Sequence, residues 1–222
     1  MIVDSHQHFW DPARADYPWM TDDVAALRRR FGPEDLEPLL REHGVAGTVV
    51  VQARHSLGET RSLLAIAAET SFVLGVVGWI DLTADVDRQL RSLVYDLLVR
   101  TRELPAALAT VERHPDVRFV LDHAGKAPRS DSDHHAWAEG VRALAELPNA
   151  TCKLSGLFTE GDPAGTADRA LAWFGPERCL FGSDWPVCLL ASASAYADAI
   201  AVAGGDPEVL GETAIRTYGL DV

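Results

Sequence analysis

Four residues scattered along the chain have the types that carry out hydrolytic chemistry: His6, His8, His123 and Asp184. His6 and His8 stand two apart in an extended segment, so their side chains share a face and can approach one ion or one carbonyl oxygen. A lone His-x-His is more often a pair of loop histidines making ordinary hydrogen bonds. The imidazole of His123 and the carboxylate of Asp184 are what turn it into a candidate site. Neutral imidazoles with one carboxylate make a mononuclear metal site with an open position for water or substrate, as a catalytic zinc requires. Without a metal the same groups still have work to do: histidines polarise a carbonyl while Asp184 takes a proton from water as general base.

Such residues need elements that bring them together. Short β-branched runs alternate here with longer amphipathic stretches, the rhythm of parallel βα units. Strands are expected over Ile2–His6, Thr48–Gln52, Val73–Ile80, Tyr95–Val99, Arg118–Asp122, Thr151–Ser155 and Cys179–Gly182. Helices are expected over Pro33–Glu42, Leu57–Glu69, Asp85–Ser92, Leu104–Arg113, His135–Glu146, Pro163–Trp173, Ala191–Val202 and Pro207–Thr217. Thr83 and Asp162-Pro163 read as helix starts, and Arg129–His135 as a polar loop.

Polar residues gather where these strands end: His6 and His8 at the first, Gln52 at the second, Trp79 and Asp81 at the third, Asp122-His123 at the fifth, Lys153 and Ser155 at the sixth, Asp184 and Trp185 at the seventh. In a (β/α) barrel that rim is the active site. Gln52, Trp79, Lys153, Ser155 and Trp185 are therefore candidate substrate contacts, the tryptophans by stacking on a ring. Each has an equal structural alternative, as a rim hydrogen bond or a lid on the core. His55 lies within reach of the rim, whereas His43, His114, His134 and His135 read as surface residues. Cys152, Cys179 and Cys188 are odd in number and lack paired spacing, so they read as buried free thiols.

The segments Asp4-Ser5-His6-Gln7-His8-Phe9-Trp10-Asp11-Pro12, Val77-Gly78-Trp79-Ile80-Asp81-Leu82, Leu121-Asp122-His123-Ala124-Gly125-Lys126, Lys153-Leu154-Ser155-Gly156, Phe181-Gly182-Ser183-Asp184-Trp185-Pro186 and Tyr218-Gly219-Leu220 together resemble one family nearly end to end. It is the amidohydrolase-related family that contains the sugar lactonases, such as L-fuconolactonase and L-rhamnonolactonase, and pyrone-dicarboxylate lactonase. The resemblance implies a TIM-like barrel and hydrolysis of a lactone, with the scissile carbonyl surrounded by the positions that here are His6, His8, His123 and Asp184. The bridging lysine or glutamate and the strand-five histidine of binuclear superfamily members are not evident. The resemblance therefore implies one divalent ion, zinc, or none.

One departure stands out. Between Ile80 and Val94 the chain runs from the third strand through a short helix directly into Val94-Tyr95-Asp96-Leu97-Leu98-Val99, with no Gly or Asn to end the helix. In the resembling family this interval holds a further strand and helix, so one βα unit is expected to be missing. Seven strands instead of eight would account for a 222-residue chain where about 250 is usual. The unit would also have supplied an arginine that holds the substrate's oxygen substituents. A barrel short of one unit leaves strand edges, and a homodimer is the expected cover.

The chain, read as a single domain over residues 1–222, is 47% hydrophobic and carries 33 acidic against 20 basic residues, a formal charge of −13. That field repels phosphates, so nucleic acid and anionic membranes are excluded as partners in favour of a small molecule. With no leader-like start and no long apolar span, a cytoplasmic protein is expected. Three functions remain open: a lactone hydrolase, an inactive remnant lacking the strand-four unit, and a zinc-dependent non-oxidative decarboxylase.

Overall fold

The computed structural model describes residues 1–80, 94–192 and 194–222. Within them, strands and helices alternate in the expected order. The strands are β1 (Ile2–Gln7), β2 (Val45–Val51), β3 (Val73–Val77), β4 (Val94–Leu97), β5 (Arg118–Leu121), β6 (Ala150–Leu154) and β7 (Cys179–Phe181). The helices are α1 (Pro33–His43), α2 (Leu57–Glu69), α3 (Leu104–Arg113), α4 (Asp131–Ala145), the single turn α5 (Leu157–Glu160), α6 (Pro163–Phe174), α7 (Ala195–Val202) and α8 (Thr213–Tyr218). Every described ladder is parallel, β1-β2-β3 in one run and β4-β5-β6-β7 in another. A parallel bridge between Gln7 and Trp185 sets β7 beside β1 and makes the two runs one curved wall. This is the TIM-like α/β architecture the sequence implies. The expected Asp85–Ser92 helix, Asp81 and the Thr83 cap lie outside the described residues.

Local chemistry explains where these elements begin. Helix α1 starts at Gly32 with Pro33 in its first turn, Asp35 accepts from the Gly32 amide at 2.9 Å, and the helix stops at Gly44 in the left-handed conformation. Ser56 caps α2 by accepting from the Glu59 amide, and Asp162 caps α6 by accepting from Gly165. Two expectations are corrected. The Arg129–His135 stretch is mostly helix, because Ser130 and the Asp that follows are residues that start one, so α4 begins at Asp131. The last stretch does not start as a regular α-helix at Pro207: a π-turn over Glu208–Glu212 precedes α8. His43, His114 and His134 are half-buried rather than on the surface, with His43 stacked on Tyr196 and His134 against Trp137.

The core has three parts. Trp137, Phe119, Leu121, Phe181 and Leu104 lead the packing of the β4–β7 strands under their helices. Trp10, Phe31, Trp185 and Tyr196 join the β1–α1 loop to the β7 end. Val3, Val49, Val120 and Leu180, one each from β1, β2, β5 and β7, pack with Ala214 and Leu220 of the C-terminal segment. Each such fully buried side chain contributes roughly 1.5–3 kcal/mol. The C-terminal segment also spans the side where β3 and β4 have no described pairing. Leu220 lies against Gly75 of β3, and the Tyr218 hydroxyl donates to Asp96 of β4. No described helix is long and apolar enough to cross a membrane.

Candidate active site

The β1–β7 seam assembles the site. The Asp184 amide donates to the His6 carbonyl and the His8 amide to the Trp185 carbonyl, both at 2.8 Å. Beneath them Asp4 accepts from the amide and hydroxyl of Ser183, the hydroxyl of Tyr196 and the amide of His6. Asp184 itself has φ of 58°, in the left-handed region. After β5 the backbone turns left-handed over four residues, His123, Ala124, Gly125 and Lys126, with φ between 48° and 70°. Non-glycine residues pay about 1 kcal/mol or more for that conformation, and here it aims His123 inward. The turn is held by the Lys126 amide on the His123 carbonyl and by the Trp137 indole N–H on the Ala124 carbonyl.

Two glycines make room. A Cβ on Gly182 would stand 2.7 Å from the Cβ of His6, and one on Gly156, already at φ of 60°, would stand 2.5 Å from Nδ1 of His123. The rings therefore converge: His6 lies 4.6 Å from His123 and 4.9 Å from His8, centroid to centroid. One donor atom from each of His6, His123 and Asp184 falls within 4.8 Å of the others. All four predicted residues, His8 included, are buried and meet at this point.

Hydrogen bonds set the polarity of each ring. His6 Nδ1–H donates to Asp122 Oδ1 at 3.2 Å, while its Nε2 is buried with no hydrogen-bond partner among the described residues and lies 3.8 Å from Asp184 Oδ1. Burial, with the nearby Lys153 ammonium, outweighs the Asp122 carboxylate and lowers His6 to about 3, so its ring is neutral. His123 is likewise lowered, chiefly by burial, and its Nδ1 pairs with the Ser155 hydroxyl at 2.8 Å. His8 differs. Burial would lower it, but its hydrogen bond to Asp184 and that carboxylate's charge raise it; Nδ1–H donates to the Val51 carbonyl and Nε2–H to Asp184 Oδ1 at 3.2 Å. Burial would raise Asp184, yet His123, His8 and His6 hold its carboxyl at about 2. The site is thus an ionised carboxylate facing neutral nitrogen lone pairs. A partnerless buried imidazole nitrogen beside a second imidazole and a carboxylate is a donor set that fits a single zinc ion.

The expected substrate contacts are distributed more widely. Gln52 follows β2, next to the Val51 carbonyl that accepts from His8, its side-chain oxygen buried without a hydrogen-bond partner among the described residues. The Trp79 amide is tied to Thr60, and the side chain is half-buried at the end of β3. Ser155 lies behind His123. Trp185, 2% exposed, packs edge-on against Phe9 and Phe31. Lys153, 0% exposed, is ion-paired with Asp96 at 2.5 Å and Asp122 at 3.2 Å. The three cysteines are free and buried, and burial pushes Cys179 up to about 12, the inert state expected of packed thiols.

Three residues at the heart of the site were given no role by sequence reasoning: Asp122, placed at the rim only as a neighbour of His123, and Asp96 and Tyr218. Asp122 had a signal, since it directly precedes His123 at a strand end. Asp96 and Tyr218 lie 122 residues apart, and only the fold joins them.

Comparison with known proteins identifies the family and the fold. A family model described as amidohydrolase matches residues 91–220. An L-fucono-1,5-lactonase of Burkholderia ambifaria is 39% identical over 85% of this chain and 81% of its own length, and one of Burkholderia multivorans 35% identical over 98% and 96%. The second alignment runs 283 residues against a 222-residue chain, so that relative carries added residues enough for a βα unit. A crystal structure of an amidohydrolase from Burkholderia multivorans with bound zinc superposes over 100% of both chains with a TM-score of 0.89 at 34% identity.

Proposed function

The chain belongs to the amidohydrolase family, and from that premise we propose that this hydrolase opens a sugar-acid lactone by attack of water on the ring carbonyl. The observation that carries the reading is the convergence of Asp184 with His6, His8 and His123 around one point on the β1–β7 seam.

Asp184, ionised and fixed by the His8 Nε2–H, takes a proton from the attacking water. The water oxygen bonds to the lactone carbonyl carbon, and the tetrahedral intermediate collapses by breaking the ring C–O bond. The proton held on Asp184 passes to the leaving ring oxygen, leaving a hydroxy acid. His6 and His123 present lone pairs, which cannot donate to a carbonyl oxygen, and this supports one zinc ion held by His6, His123 and Asp184, with His8 alongside. When bound, that ion supplies Lewis-acid polarisation of the carbonyl. Gln52, with an unpartnered oxygen, is the substrate contact best placed to accept from a sugar hydroxyl. Trp79 is a second, while Ser155, Lys153 and Trp185 act from behind. A homodimer covering the edges of β3 and β4 that have no described strand pairing completes the proposal, and sedimentation equilibrium tests it.

The functional test is hydrolysis of a panel of sugar-acid lactones followed by acid release, with zinc and with chelator. Turnover that falls by about 10³ in Asp184→Asn is the expected result. A folded protein with no turnover on any lactone would instead assign an inactive remnant, and carbon dioxide release from an unsaturated acid would assign the decarboxylase.

A further inference from the structure

Behind His6 lies a fully enclosed group of charges that the hydrolytic steps do not use. Asp122 Oδ1 stands 3.2 Å from His6 Nδ1 and also 3.2 Å from Lys153 Nζ. Lys153 Nζ reaches Asp96 Oδ2 on its other side, and the Tyr218 hydroxyl reaches both oxygens of Asp96 at 2.9 and 3.0 Å. Lys153 Nζ lies only 3.4 Å from His6 Nδ1 itself. Two groups therefore compete for one ring nitrogen: a carboxylate that accepts a proton's hydrogen bond and an ammonium that donates one.

We propose that Asp122 is a positioning residue that keeps the His6 proton on Nδ1, and that Lys153, paired with Asp96, is a buried counter-ion that would force the opposite tautomer if Asp122 were absent. With the carboxylate in place, Nδ1 carries the proton and Nε2 turns its lone pair to the point it shares with Asp184 and His123. Without it, the ammonium donates to Nδ1, the proton moves to Nε2, and the ring shows the site an N–H instead of a lone pair. Lys153 thus shapes the site without touching substrate. Asp96 gives the ammonium a second carboxylate partner, and the Tyr218 hydroxyl fixes Asp96 by donating to it. The proposal rests on His6 as a donor in the proposed site but not on the lactone.

The test is made on metal-free protein with ¹⁵N-labelled histidine. Wild-type His6 is expected to show the Nδ1–H tautomer, and Asp122→Leu, which leaves the Lys153–Asp96 pair intact, the Nε2–H tautomer. Zinc affinity, read by competition with a chromophoric chelator, is expected to fall by about 10–100-fold in that variant. Lys153→Met should keep the Nδ1–H tautomer while lowering the urea midpoint. An Nε2–H wild-type His6, or an Asp122→Leu protein with unchanged tautomer and zinc affinity, would overturn the proposal. Neither reading involves substrate, so a failure here is distinct from a failure to find lactonase activity.

Discussion

Ala124 is the residue whose backbone works hardest without taking part in the chemistry. It is fully buried, stands at φ of 48°, and its carbonyl accepts from Trp137. Glycine adopts this conformation freely, so Ala124→Gly is expected to raise stability by about 1 kcal/mol with turnover unchanged, as measured by urea unfolding and kcat. His6 gives a prediction of opposite kind. Its folded value of about 3 lies below the 6.5 of an unfolded histidine, so below about 6.5 the unfolded chain binds the extra proton and the fold loses stability as pH falls toward 3. His8, raised in the fold, acts in the other sense, its stabilisation full below about 6.5 and lost as pH rises through its folded value. His6→Asn should therefore shrink the drop in urea midpoint between about pH 7 and about pH 5 in metal-free protein. At this scale His6, His8, His123 and Asp184 were legible because their types are scarce and each ends a strand. Lys153 was placed at the site by the same logic, but its two carboxylate partners come from β4 and the end of β5, and nothing local in the sequence joins them.

Elements were legible wherever a period and a punctuation mark coincide. Leu57–Glu69 and Leu104–Arg113 are helices with the expected bounds, one opened by Ser56 and the other with proline in its first turn. Strand ends were read one to three residues long at Val73–Val77, because the Gly78-Trp79-Ile80 that follows is apolar yet forms no ladder. The close approach of β7 to β1 was not legible, since it depends on an absent side chain. Gly182 lets the His6 Cβ come within contact distance, and Gly182→Ala is expected to cost about 1–3 kcal/mol and to push His6 out of line, lowering kcat more than it raises KM. If that variant kept wild-type stability and turnover, the seam would be looser than the geometry requires.

For the whole molecule, the βα rhythm identified the architecture, whereas the passage from Ile80 to Val94, where a unit is expected to be missing, lies mostly outside the described residues. How the wall is joined was not readable, because the tie lies in segments distant in sequence: the seam of β1 with β7, and the C-terminal segment reaching from Gly75 to Asp96. Leu220→Ala should cost roughly 2 kcal/mol in urea unfolding while leaving KM unchanged, since the residue serves the wall and not the pocket. The β1–β7 seam has a further consequence for how the protein is made. His6 and His8 leave the ribosome well before their partners Asp184 and Trp185, which lie more than 170 residues further along the chain. Until then β1 has only β2 to pair with, and its histidines face no carboxylate from β7. Newly made chains therefore acquire the site late, and a nascent chain stalled before residue 184 would hold three of the four residues without forming it.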